Sequence, residues 1–231
     1  NVDFILWPEN SVDVDPFLNT DVNASLNSIQ QPLIIGAILN KGSSLYNTSI
    51  LWGGELPNTY IKQHLTPFGE YIPLRSLARI ISPLVDEVED FSPGDGGKTF
   101  SIGEIKVAPV ICYELIDDDL LRQAAADSNI LAVQTNSATF GMSAESAQQL
   151  SITRVRAIEH GRNIASVSTT GYSAIINSSG KVVEQTAMGS ADSIRAEVGL
   201  IEGQTPRDAA GDWALIGVLV TLLLVARRAY I

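Results

Sequence analysis

Ala108-Pro109-Val110-Ile111-Cys112-Tyr113-Glu114-Leu115 is the stretch on which the reading of this chain turns. From Ile105 to Ile111 the residues alternate and then run apolar, the pattern of a buried strand. Cys112, the only cysteine in 231 residues, stands at its end. Glu114 and then Asp117, Asp118 and Asp119 follow, which predicts a helix start, with the helix running to about Ala126. A thiol at such a turn meets helix N–H groups and the positive end of a helix dipole, and both favour thiolate. That suits a nucleophile. A lone free cysteine is also a good small core hydrophobe, and this stretch alone leaves the two readings open.

Outward from the cysteine the pattern is of strands separated by turns. Upstream, strands are expected at Phe4 to Trp7, Leu33 to Leu39, Leu45 to Trp52 and Lys98 to Ile102, the last joined to the cysteine strand through Gly103-Glu104. A weak helical pattern covers residues 16–31. The prolines and glycine between Tyr60 and Pro73 forbid a long helix there. Residues 86–97 are acidic and glycine-rich, a surface loop; with the apolar segment before it, the stretch from Pro73 to Gly97 is expected to border the site as a lid. Downstream, strands are predicted at Ile130 to Thr135, Ile164 to Thr169, Ser173 to Ile176, from Val182, and at Ser193 to Val198. Ser143 to Arg162 is the clearest helix, with Ala147, Leu150, Ala157, Ile158 and Gly161 on one face and Arg154 expected to pair there with a carboxylate or carbonyl. Hairpins mixed with helical crossovers point to α/β architecture, a mixed sheet or two packed sheets with helices outside.

Composition narrows the class. Hydrophobic residues make up 45% and charged ones 18%, enough apolar side chain for a sizeable core. A net charge of −11 argues against a nucleic-acid partner. A single cysteine excludes an intrachain disulfide framework. The run from Trp213 to Ala226 is apolar on every face, with Trp213 at one end and Arg227-Arg228 at the other. It falls short of the roughly 20 residues that cross a bilayer untilted. The flanking tryptophan and arginines favour a membrane helix over a core helix.

Glu9, Lys62 and Cys112 each follow or flank an apolar strand, where site residues emerge in α/β folds. A carboxylate can take a thiol proton, an ammonium can stabilise an oxyanion and a thiolate can attack an acyl carbon. Spacing alone does not assemble the three.

Trp7-Pro8-Glu9, the string from Tyr60 through Lys62-Gln63-His64-Leu65-Thr66-Pro67-Phe68-Gly69-Glu70-Tyr71, and Ile111-Cys112-Tyr113-Glu114 resemble the Glu, Lys and Cys motifs of the carbon–nitrogen hydrolase (nitrilase) superfamily. Within it the match is nearest the apolipoprotein N-acyltransferase family, membrane enzymes that add a third acyl chain to bacterial lipoproteins. The order Glu, Lys, Cys agrees, and the resemblance covers nearly the whole chain. It implies a four-layer α-β-β-α sandwich over residues 1–204, then a connector and transmembrane helix over 205–231. It also implies a further strand before Val2 and membrane helices upstream, so the 231 residues are expected to be a piece of a longer protein.

By the same resemblance Glu9 is the general base, Lys62 the oxyanion stabiliser and Cys112 the nucleophile that carries a thioester. Glu70, Tyr113 and Glu114 support the site, and Asn136 and Phe140 are placed for substrate binding. No metal or cofactor is implied. The implied partners are a phospholipid acyl donor, a diacylated lipoprotein acceptor and the bacterial cytoplasmic membrane, with the catalytic domain on its extracytoplasmic face. One departure stands out. Where the family often has Asn-Asp-Ala-Trp-Phe-Gly, this chain has Asn136-Ser137-Ala138-Thr139-Phe140-Gly141, without the tryptophan. Two alternatives remain: an amidase of the same superfamily with water as acceptor, and a non-catalytic membrane-tethered binding domain.

Overall fold

The computed structural model describes residues 2–53, 58–81, 83–86, 89–211 and 213–229. Two sheets form the centre. The first has the order β1 (Ile5–Leu6), β2 (Leu33–Lys41), β3 (Ser44–Trp52), β4 (Asn58–Ile61). The second has β5 (Phe100–Ile102) and β6 (Ile105–Ile111) at one edge. It continues through β7 (Ile130–Thr135), β8 (Ile164–Ser168) and β9 (Ala174–Ile176) to β10 (Val182–Gln185). β6, β7 and β8 run parallel, and both outer pairs are antiparallel hairpins.

Side-chain alternation, period two along each strand, stacks these sheets. On β2, Leu33, Ile35, Ala37 and Leu39 pack with Leu26 of helix α1 (Thr20–Asn27), while Ile34 points the other way. Ile34, Leu51 and Tyr60 meet Val107, Ile111, Ile130 and Ala132 of the second sheet. The opposite faces of β6 and β7, Ala108, Val110, Leu131 and Val133, pack on Leu121 of α3 (Asp118–Ala126) and Ala157 of α4 (Glu145–His160). Three apolar layers therefore separate four structural layers, helix, sheet, sheet, helix. This agrees with the nitrilase-like sandwich expected.

The remaining helices are α2 (Arg75–Ile81), α5 (Pro206–Ala210) and α6 (Trp213–Ala229). α6 leaves Trp213, Leu219, Leu222, Leu223 and Val225 exposed around its circumference. Among the described residues no helix is long and apolar enough to cross a membrane.

Three details depart from the sequence reading. Residues 193–198, expected as a last strand, have no regular secondary structure; β10 closes that edge of the sheet with β9, and Val198 only packs against the inter-sheet core. β4 is a strand that the sequence reading did not predict. The inward face of α4 is Ser146, Thr153, Arg156, Ala157 and His160, while Ala147 and Ile158 are exposed. Polar groups can face inward because they bond the backbone: Arg156 Nε donates to the Leu115 carbonyl at 2.7 Å, and Thr153 to Gln149 at 2.8 Å. Arg154 does meet a carbonyl, that of Gly180, at 2.8 Å, but on the exposed side.

Gly36 on β2 fixes how the loop after β1 approaches. A Cβ there would lie 2.4 Å from the Pro8 carbonyl oxygen and 2.6 Å from the Glu9 Cα. Only glycine lets this loop close onto the sheet. Gly36→Ala is therefore expected to cost about 1–3 kcal/mol, the usual penalty for overpacking. Urea unfolding checks this, and an unchanged midpoint would mean that the loop rides up freely.

Candidate active site

The site is built at the ends of strands from both sheets. Glu9 comes from the turn after β1, held down over Gly36. Asn47 points inward from β3. Lys62 is the first residue after β4, and Glu70 lies on the loop that follows. Cys112 is the first residue after β6. Its φ is +50°, a left-handed conformation that costs a non-glycine residue roughly 1–2 kcal/mol. Asn10 beside Glu9 and Phe68 before Glu70 also have positive φ, 51° and 63°. Such strain persists only where the surroundings over-determine it, and here it clusters around one set of polar groups.

Lys62 is 1% exposed, with Glu9 at 5% and Glu70 at 8%. Its ammonium lies 3.1 Å from Glu9 Oε1 and 2.8 Å from Glu70 Oε2, and donates to Thr66 Oγ1 at 3.3 Å. Asn47 Nδ2 bridges the two carboxylates, at 2.8 Å from Glu9 and 2.6 Å from Glu70. The Thr66 N–H completes Glu70 at 2.7 Å. Burial alone would strip the Lys62 proton, but the Glu9, Cys112 and Glu70 charges hold its pKa above the ordinary lysine value. Burial likewise opposes ionisation of Glu70, and the Lys62 charge overrides it, so its pKa falls.

Cys112 is a half-buried free thiol. Its sulfur lies near the Glu9 carboxylate and the Asn136 backbone N–H. Gln149 of α4 donates to it from Nε2 at 3.8 Å. Burial, then the Glu9 charge, pushes the thiol up to about 12; Lys62 only partly offsets this. This reverses the expectation that the strand-to-helix turn favours thiolate. A desolvated sulfur beside a carboxylate keeps its proton, and the site needs a base to remove it.

Glu114 is fully buried but does not reach the sulfur. One oxygen accepts the Tyr60 hydroxyl and the Gln63 N–H, each at 2.7 Å, and the other accepts the Ile111 N–H at 2.7 Å. It thus ties the Lys62 loop to the Cys112 turn. Burial raises its pKa against those donors, and burial with the Glu114 charge raises that of Tyr60. Tyr113 packs edge-on against His64.

The Asn136 side chain is already engaged: its oxygen accepts the Ala138 N–H of its own loop and the Thr169 hydroxyl just after β8. The part of Asn136 that addresses the sulfur is therefore its backbone. Phe140 is half-exposed on the same loop. The stretch from Pro73 to Gly97 does border the site, where Phe91 and Gly94 donate to the carbonyls of Glu70 and Lys62; residues 82, 87 and 88 of it lie outside the described residues. Sequence reasoning missed Asn47, Thr66 and Gln149. The available signal for Asn47 was an amide within a strand whose far end runs apolar.

Comparison with known proteins fits this geometry. The carbon–nitrogen hydrolase family profile matches residues 18–207. The chain is 34% identical over 199 residues to the apolipoprotein N-acyltransferase of Mycolicibacterium smegmatis, covering 79% of this chain and 33% of that one. It is 33% identical to the enzyme of that name from Pseudomonas aeruginosa strain LESB58, covering 98% and 46%. It thus spans a third to about half the length of these curated relatives. Among solved structures it is similar to a nitrilase-superfamily protein of Saccharomyces cerevisiae. That likeness has a TM-score of 0.60 and 20% identity over 80% of this chain and 73% of that one, and bears on the fold alone. With a matched profile over most of its length and the sandwich that the profile implies, this chain belongs to the carbon–nitrogen hydrolase family.

Proposed function

We propose that this chain is the catalytic domain of an enzyme that acylates the N-terminal amine of bacterial lipoproteins through a thioester on Cys112. One observation carries the chemistry. The Cys112 thiol is held protonated by burial and the adjacent Glu9 charge, and that carboxylate is itself paired to a buried ammonium. The similarity to enzymes named apolipoprotein N-acyltransferase carries the substrate class.

In the first half-reaction Glu9 takes the Cys112 proton and the sulfur attacks the ester carbonyl of a phospholipid. A C–S bond forms and the carbonyl oxygen becomes an oxyanion. Lys62 stabilises it. All three of its ammonium protons have partners, and the longest contact, to Thr66, is the one most easily exchanged for the oxyanion. The ester C–O bond then breaks, and the lysophospholipid alkoxide takes the proton from Glu9. In the second half-reaction the lipoprotein amine attacks the thioester and gives its proton to Glu9. The C–S bond breaks and the sulfur recovers that proton.

Glu70 and Asn47 position the Glu9–Lys62 pair, and Glu114 positions the two loops. The loops that hold the site also expose Phe68, Phe140 and Met142, with Leu74 and Leu77 beyond, which suits an acyl chain better than a small polar amide. Residues 1–204 form the catalytic domain and 205–231 the connector and membrane anchor. α6 has 17 residues, about 26 Å of helix. Snorkelling Arg227 and Arg228 extend its reach, and paired arginines at that end favour the cytoplasmic side. The sandwich then lies on the outer face.

With a phospholipid donor, the intact enzyme is expected to form a hydroxylamine-labile acyl adduct that Cys112→Ala abolishes. Release of free fatty acid with no amine product would instead identify a hydrolase.

Glu9→Gln gives a sharper check. Removing the negative charge beside the sulfur should move the midpoint of iodoacetamide alkylation down from about 12 toward the ordinary 9.0. Acyl transfer should be lost in the same protein. A more acidic thiol in a dead enzyme separates a base from a merely structural carboxylate; an unchanged or higher midpoint would remove Glu9 from the role.

Protease added to spheroplasts should digest the sandwich domain. Protection until the membrane is permeabilised would put it in the cytoplasm.

A further inference from the structure

Beyond the Glu9, Lys62 and Cys112 roles, a second group reaches the sulfur. Gln149 projects from the second turn of α4 and its Nε2 lies 3.8 Å from Cys112 Sγ. A side-chain amide can present either its oxygen or its nitrogen to a neighbour, and only the nitrogen helps a thiolate. Here the choice is fixed from behind. The Ser137 hydroxyl donates to Gln149 Oε1 at 3.5 Å. The Ser168 hydroxyl donates to Ser137 Oγ at 3.3 Å, and the Gly171 N–H donates to Ser168 Oγ at 3.1 Å. Each hydroxyl accepts once and donates once. The bonds therefore run one way, from a backbone N–H to the sulfur, and each polarises the next.

The relay is enclosed. Ser137 is 1% exposed and Ser168 is 9% exposed. A Cβ on Gly171 would lie 2.7 Å from Ser168 Oγ and 2.9 Å from Ser137 Oγ, so the cluster has no room for a side chain there.

We propose that Gln149 is a catalytic residue of this site, donating to the sulfur of Cys112 and stabilising the thiolate that Glu9 generates, with Ser137 and Ser168 as positioning residues that hold its amide in the donating orientation. This rests on the thiol-nucleophile reading above. In that step the thiol proton moves to the Glu9 carboxylate, and the electron pair left on sulfur faces Lys62, the Asn136 N–H and Gln149 Nε2. The same donor stabilises the sulfur again when the C–S bond of the thioester breaks. One other titratable group touches the relay. Burial raises the pKa of the Glu145 carboxyl, which lies near Ser137.

The test is iodoacetamide alkylation of Cys112 against pH in the intact protein in detergent, which needs no acyl substrate. Gln149→Leu, which keeps the bulk and removes the donor, should raise the midpoint by about one pH unit, or about tenfold less thiolate at a given pH. Gln149→Glu, of the same shape, should raise it further by adding a negative charge. Ser137→Ala removes the hydroxyl that orients the amide without adding charge and should raise the midpoint by less than Gln149→Leu does. Glu145→Gln should leave it unchanged or lower it.

A merely packing role predicts no such ordering. An unaltered midpoint in a folded Gln149→Leu protein overturns the proposal, and if the leucine variant does not fold, Gln149→Met, which also lacks the donor, decides in its place. Should Cys112→Ala retain acyl transfer, the reaction assignment fails whatever the alkylation profile shows. Should it be inactive while the Gln149 variants alkylate normally, only the Gln149 role fails.

Discussion

The buried ammonium of Lys62 is the constraint on which the site depends. Taking a charge of this kind out of water costs several kcal/mol, and truncating its partners would leave it uncompensated. Two carboxylates surround it, so the cluster carries one negative charge more than it neutralises. Asn47 absorbs part of that excess by donating to both acids from one nitrogen. A thiol beside the cluster is first desolvated by burial and then opposed by the Glu9 charge, and together these push its pKa up to about 12. Moving its proton onto Glu9 adds no further negative charge: the charge migrates within the cluster and the total is unchanged. Activation by an adjacent base is thus the cheaper route here, and a thiol of intrinsically low pKa would need a different environment.

Bringing these groups together demands unusual chain paths. The loop bearing Glu9 lies against Gly36, and the segment after α2 lies against Ile61, where a Cβ on Gly94 would come within 2.4 Å of the Ile61 carbonyl oxygen. Asn10, Phe68 and Cys112 take left-handed conformations next to the groups they present. Glu114 counters that tendency to relax. Tyr60 and Gln63 belong to the first sheet and its following loop, and Ile111 to the second sheet, and all three donate to one carboxylate. Breaking Glu114 would orphan donors on both sides of the sandwich at once, whereas a buried apolar residue there would leave each turn to find its own geometry.

Much of this was legible in residue order. Apolar runs located β2, β6 and β7, because a strand buried on both faces leaves little choice at each position. The cysteine at the end of β6 and the three motif strings brought Glu9, Lys62 and Cys112 together, with Glu70 among them. Other features were not legible. The direction of the Cys112 shift depends on how deeply the sulfur is buried against Glu9, which no local pattern records. Asn47 and Gln149 look like stray polar residues until the opposite sheet and the loop after β7 are in place. The inward face of α4 was misread because hydrophobic periodicity assumes an apolar core. Thr153, Arg156 and His160 are instead buried through hydrogen bonds, among them His160 Nδ1 with Asp208 Oδ1 at 2.8 Å. The segment at 193–198 alternates without pairing, since alternation records exposure and not the presence of a free strand edge.

A base, a buried cation and a thiol are indifferent to the group that finally resolves a thioester. Water and an amine both need only to reach the carbonyl carbon and surrender a proton to Glu9. Selectivity in such a site must therefore reside outside these three residues, in what surrounds the sulfur and in what keeps water from it. Here the surrounding loops present Phe68, Phe140 and Met142 to the outside, and α6 exposes leucine and valine on all sides. A helix apolar on every face finds no stable place in water and must be covered. The same apolar phase that covers α6 would also bring long acyl chains to the loops around Cys112 and dilute the water there. In the proposed reaction, chemistry shared with hydrolases becomes transfer when the competing nucleophile is kept scarce, and the exposed apolar surface supports that reading more than the three site residues do.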